Sequence, residues 1–242
     1  PCCGRFAVPA ESKSVMQCGL FGKLSAKRDF VALSVPRDFL NAWEPWMQSC
    51  VSASRDSLGE TWLESYLTAP IWRFWLGADI CGATVTGALM PSLDGVGRYY
   101  PLTLLAQAPE ARFIPPPDID AHDQWFVSAE DFLLSTLDKT ASFEALTQAL
   151  DQLPAPNSSP TDEIPDGLST LAAGVVAGPS SESSFSHLFE SLRAANHAAL
   201  YTAASFWWTI GGGDCKPFGF CSRRLPDPSV FAKMLTGLTA AE

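Results

Sequence analysis

Tyr66-Leu-Thr-Ala-Pro-Ile-Trp-Arg-Phe74 and, after a short gap, Leu89-Met-Pro-Ser-Leu-Asp-Gly-Val-Gly-Arg-Tyr-Tyr-Pro-Leu-Thr-Leu-Leu105 are apolar segments on either side of a polar, glycine-containing turn. The turn holds one acid, Asp94, and one base, Arg98, so it reads as a hairpin tip presenting a charge pair. Within Ile71–Leu76, Trp72, Phe74 and Leu76 alternate with Ile71, Arg73 and Trp75. Both faces are mostly apolar, as in a strand covered on two sides. Gly82–Pro91 reads as a second strand, weakened by Gly87, and Tyr99–Ala106 as a third. Strands so close in sequence are expected to pair antiparallel.

On the N-terminal side, residues 18–35 read as extended structure with a polar turn at Ser25-Ala-Lys-Arg-Asp29. After Pro36, the residues Phe39, Leu40, Trp43, Trp46, Met47, Cys50 and Val51 recur at helical spacing. Pro45 predicts a break or kink there, giving two short helices. A further helix is expected over 60–67. On the C-terminal side, Ala108–Asp120 is proline-rich and reads as a loop. Trp125, Phe126, Phe132, Leu133 and Leu137 mark a helix; Phe143, Leu146, Leu150 and Leu153 mark another, capped by Ser142. Residues 154–166 form a proline-rich loop. A helix beginning at Ser184 carries Phe185, Leu188, Phe189 and Leu192. A strand is expected over Ala199–Ile210, then a turn at Gly211–Gly213 and a closing helix over Pro226–Leu238. Strands interleaved with amphipathic helices indicate an α/β or α+β sandwich.

Composition narrows the function classes. The chain has 242 residues, 47% of them hydrophobic, with eight Trp and fifteen Phe, enough for a substantial core. With 16 basic against 26 acidic residues and a net charge of −10, it lacks the excess of cations that nucleic acid demands. No stretch is long and apolar enough to span a bilayer. Residues 1–15 lack the apolar core of a signal peptide and read as an N-terminal extension or cloning remnant, because Met16 looks like a native start. Seven cysteines fit no zinc spacing, and the odd count favours a reducing compartment. Cys50 and Cys81 read as core residues; Cys215 and Cys221 are close enough in sequence for a local bridge.

Little in the chain points to catalysis. His122, His187 and His197 have no ligand spacing and read as surface or cap residues. No nucleophile elbow or phosphate loop occurs; the run from Gly211 to Pro217 has glycines and a lysine at the wrong spacing. Asp162, Glu163 and Asp166 read as solvation of a loop, and Glu182 and Glu190 as a polar helix face. Arg28, Asp29, Arg73, Asp94 and Arg98 stand out because each lies in or beside an apolar segment. They could satisfy one another as ion pairs at the sheet margin, or form a recognition surface on a rigid scaffold.

Several ordered segments resemble the TagF family associated with type VI secretion. They are Gly19-Leu-Phe-Gly-Lys-Leu24 with Asp29-Phe-Val31, then Trp43 and Trp46 after Pro36-Arg-Asp-Phe-Leu40, then Tyr66–Phe74, Leu89–Leu104 and Ser205-Phe-Trp-Trp-Thr209. The chain departs from the family pattern at Ser25 and Arg28, where the family usually has Pro and Gly. The resemblance implies a single TagF-like domain over 16–242 with a three-layer α/β sandwich and a largely antiparallel or mixed central sheet. It further implies a non-enzymatic, cytoplasmic, post-translational repressor of type VI secretion. Such a repressor needs no cofactor and works through a forkhead-associated scaffold protein. Arg28, Asp29, Arg73, Asp94 and Arg98 are then the candidate partner-binding residues. The alternative is an enzyme or small-molecule-binding domain that lacks known motifs.

Overall fold

The computed structural model describes residues 16–138, 140–160, 166–172, 174–180, 185–213 and 215–237. The extension at 1–15, the acids Asp162, Glu163 and Glu182, the helix start at Ser184 and the final Leu238 lie outside the described residues. The chain begins with strands β1 (Cys18–Gly22) and β2 (Val31–Leu33), followed by helix α1 (Arg37–Leu58). Next come α2 (Trp62–Thr68), β3 (Trp72–Leu76), the short α3 (Ala78–Cys81), β4 (Val85–Met90) and β5 (Leu102–Gln107). The two-residue strand β6 (Arg112–Phe113) precedes α4 (Asp123–Ser135) and α5 (Phe143–Asp151), and pairs with β7 (Ser159–Pro160). Strands β8 (Ser169–Ala172) and β9 (Val175–Ala177) form a separate hairpin before α6 (Ser186–Ala195) and α7 (His197–Leu200). Finally β10 (Ala204–Thr209), β11 (Phe218–Arg223) and α8 (Val230–Thr236) close the fold.

Seven strands make one sheet in the order β11-β10-β3-β4-β5-β1-β2. Every pairing in it is antiparallel. The period-two alternation sorts the core onto two faces. Trp72, Phe74, Leu76, Val85, Leu89, Leu105 and Trp207 face α1, α2 and α8, and meet Phe39, Trp43, Met47, Tyr66 and Phe231. Leu20, Ala88, Met90, Leu102, Leu104 and Ala106 face α4 and α5, and meet Phe126, Leu133, Leu146 and Leu150. The result is an α/β fold of helices, sheet and helices, as the sequence predicts. Trp43, Trp46, Trp72, Phe74, Trp207 and Phe231 are all buried. Trp43 lies 4.6 Å from Phe74 and 6.0 Å from Trp207, centroid to centroid.

Gly87 has a packing reason. A Cβ there would stand 2.4 Å from both the Phe74 ring and the Leu104 carbonyl, so the strand gives up a side chain to let Phe74 sit flat against it.

Some expectations are corrected. Pro45 does not divide α1, which runs unbroken for 22 residues. Pro45 and Asn41, whose carbonyl loses its helical donor, are both exposed, so water can replace the missing bond while the buried aromatic face carries the helix through. The strand expected from 199 starts only at Ala204, because α7 occupies 197–200. Strand β11 was not legible, since Pro217 and Gly219 interrupt its pattern. Phe185 and Phe189 are exposed and do not join the core. Ser142 does cap α5, accepting a 3.1 Å bond from the Ala145 amide.

Candidate functional site

The predicted hairpin tip and the turn between β1 and β2 meet at one corner of the sheet. The connection from β4 to β5 folds back on itself through a bridge between Leu93 and Tyr99. The Asp94 amide donates to the Arg98 carbonyl at 3.1 Å, and the Gly97 amide to the Asp94 carbonyl at 3.0 Å. Gly97 takes φ 86°, in the left-handed region that glycine adopts freely. Gly95 donates to the Lys27 carbonyl at 2.8 Å, joining the loop to the β1–β2 turn. Beneath it, the Tyr66 hydroxyl donates to the Ser92 carbonyl at 2.9 Å and accepts from its amide at 3.0 Å. The Ser92 hydroxyl donates to the Lys23 carbonyl at 2.8 Å.

Asp94 departs from the expected exposed pair, for its side chain is fully enclosed. One carboxylate oxygen accepts from the amides of Val96 at 3.1 Å and Arg98 at 2.9 Å. The other accepts from the Lys23 ammonium and from Arg98 Nε at 2.7 Å. Burial alone would raise this carboxyl. The bonds from Lys23, from the Arg98 amide and guanidinium and from Val96 outweigh it and hold the group well below the usual carboxylate range. Lys23 is buried as well, whereas the Arg98 side chain is 60% exposed and also donates to the Arg28 carbonyl. Asp94 is therefore the internal anchor of the corner, and the corner's exposed surface comes from what surrounds it.

That surface is the β1–β2 turn. Arg28 and Asp29 are exposed, and among the described residues their side chains make no ion pair. Phe30 is 45% exposed, edge-on to Tyr100 at 4.8 Å, with the Lys23 ammonium 4.9 Å from its centroid. Lys27 sits 4.0 Å over the ring of Phe143, at the start of α5. A cavity of about 320 Å³ lies on one side of the turn, between Ser25, Gly95 and Asp138. A groove of about 310 Å³ lies on the other, along residues 27–33 and Phe143. Lys23, Lys27 and Phe143 were not among the candidate site residues read from the sequence; Lys23 lies 71 positions from its partner, a separation that no local pattern reports.

Arg73 belongs elsewhere. It is buried on the α4 face of β3, with Nε 2.6 Å from Glu130 and Nη1 3.8 Å from Asp123. Its guanidinium lies 4.8 Å from the centroid of Phe126. It does not join Asp94 and Arg98.

A cavity of about 500 Å³ opens at the N-terminus of α4 between Asp120, His122, Trp125 and Asn157. Of the two expectations for His122, surface or cap, it holds the cap position of α4, but its side chain is buried and makes no capping bond. Its Nε2 lies 2.9 Å from the Pro115 carbonyl, while Nδ1 has no hydrogen-bond partner and stands 3.6 Å from Asp120. Burial would raise the Asp120 carboxyl, but the Asn157 amide and His122 outweigh it and lower it. Ser128 also lines this cavity, its hydroxyl donating to the Gln124 carbonyl at 3.3 Å, and among the described residues no three His, Cys, Asp or Glu side chains gather as metal ligands would. Burial pushes the Cys18 thiol up to about 11 and that of Cys81 up to about 12, far from reactive thiolates. Cys215 and Cys221 are both free rather than bridged. Among the described residues no helix is long and apolar enough to cross a membrane.

Comparison with known proteins bears on this corner directly. The family described as the TagF N-terminal domain, type VI secretion system-associated, matches residues 19–153, which include all of it. The crystal structure of PA0076 from Pseudomonas aeruginosa PAO1 is similar with a TM-score of 0.76 and 34% identity, over 93% of this chain and 97% of that one. No curated protein matches the sequence.

Proposed function

From a chain that belongs to the type VI secretion system-associated TagF N-terminal domain family, we propose an accessory regulator of that system, a cytoplasmic post-translational repressor without catalytic activity. It works by holding a partner, the forkhead-associated scaffold protein, at the corner built on Asp94. The observation that carries this reading is the contrast within the corner. Lys23, Asp94 and Tyr66 form a buried frame, while Arg28 and Asp29 are held exposed on top of it without an ion pair, beside the partly exposed ring of Phe30. A rigid support under unpaired charges and a partly exposed ring suits a protein contact.

Deleting the gene in a strain with an intact secretion system is expected to raise export of the tube protein under non-inducing conditions. Unchanged export would sink the repressor reading. The second reading, a small-molecule-binding domain, draws on the cavity at α4 and the unpaired His122 nitrogen. Restoring the deleted gene as a His122→Ala variant separates the two: repression returns if the corner carries the function and is lost if the cavity does.

A further inference from the structure

We infer that the open edge of β2 and the groove beside it take up an extended, acidic segment of the scaffold partner as an added strand. The inference rests on the regulator reading above. Strand β2 is the last in the sheet, and among the described residues no strand pairs with its outer side. An edge strand leaves backbone N–H and C=O groups open to another chain, and adding a strand to such an edge is a recurrent way of binding extended peptides. Here the groove runs along that edge, floored by residues 27–33 and walled by Phe143. Ser34 leaves the strand with φ 51°, so the ladder ends after Leu33 and an added strand gains only a few main-chain bonds. Selectivity must then come from side chains.

Charge points to an acidic guest. The corner brings three exposed cations, Lys27, Arg28 and Arg98, to the surface of a chain whose net charge is −10. Of its three carboxylates, Asp94 is enclosed between Lys23 and Arg98, while Asp29 at the rim and Asp138, in the cavity across the turn, remain exposed to oppose them. An acidic segment is therefore attracted here and repelled over much of the remaining surface, which both steers and orients it. The exposed ring of Phe30 and the half-buried ring of Phe143 offer contact to an apolar residue beside the acids.

Calorimetric titration of the full chain with the forkhead-associated scaffold protein of the same secretion system tests this. Ala32→Pro blocks the edge and Arg28→Glu reverses the charge; Arg223→Glu, on the opposite edge strand, is the control. Thermal melting establishes that each is folded, and Arg28→Glu keeps the test alive if Ala32→Pro is not. The inference expects binding by the wild type and by Arg223→Glu, with at least a tenfold loss of affinity for Arg28→Glu and for a folded Ala32→Pro. Unchanged affinity in these two variants overturns the groove and leaves the regulator standing. No binding by the wild type overturns the groove and the scaffold partnership together. Self-association through β2 in place of scaffold binding also overturns it.

Discussion

Asp94 takes four hydrogen bonds inside the protein, from two amides, one ammonium and one guanidinium. A carboxyl held below its ordinary value, about 3.9, contributes stability that is complete above that value and lost as pH falls toward the folded-state value. Thermal melts from pH 7 to pH 3 should therefore show wild-type stability falling below about pH 4. Asp94→Asn should melt lower at pH 7, because Lys23 is left buried without its counter-ion, and should lose less over the same acid span. Equal acid dependence in the two proteins would contradict this account of Asp94. The sequence showed Asp94 and Arg98 as a pair, because glycines and a four-residue spacing are local signals. It could not show which charge is enclosed, since that depends on Lys23 in β1's turn and Tyr66 in α2. Arg28 and Asp29 were read as charges that either pair at the sheet margin or form a recognition surface; they are exposed, and among the described residues they make no ion pair.

At the scale of elements, α4 is held to the sheet by apolar packing and by Arg73, which lies over Phe126 and pairs closely with Glu130 and more distantly with Asp123. Glu130→Ala strands a buried guanidinium with only the distant, largely exposed Asp123 to answer it. The expected cost is about 3–5 kcal/mol in chemical denaturation. Arg73→Met combined with Glu130→Leu should recover much of the loss, because a buried pair is replaceable by apolar groups more cheaply than it is broken. A Glu130→Ala variant as stable as the wild type would mean that water already screens Arg73. The sequence placed β3, β4, β5, α4 and α5 because their alternation or helical spacing is unbroken and their caps are local. It misjudged α1, where exposure of Pro45 makes the proline tolerable, and it missed β11, where Pro217 and Gly219 blur the period. It read Phe185 and Phe189 as part of a helical stripe from spacing; whether such a stripe is covered depends on tertiary packing, and here both rings are exposed.

At the scale of the molecule, strands from both ends of the chain share one sheet: β10 pairs with β3, and β1 pairs with β5. The fold class was legible because alternating strands and amphipathic helices leave few ways to bury both faces of a sheet. The family was legible from compact motifs that lie chiefly in the segments forming the corner and its support. Strand order was not, since it is decided by contacts far apart in sequence, such as Trp207 against Trp43. At this scale the proposal is repression of secretion through contact at the corner. The most direct measurement is export of the tube protein from a deletion strain complemented with wild type, Arg28→Glu or Arg223→Glu, at matched protein levels. Wild type and Arg223→Glu should silence export, while Arg28→Glu, folded as well as the wild type, should leave it high; silencing by all three would contradict the claim.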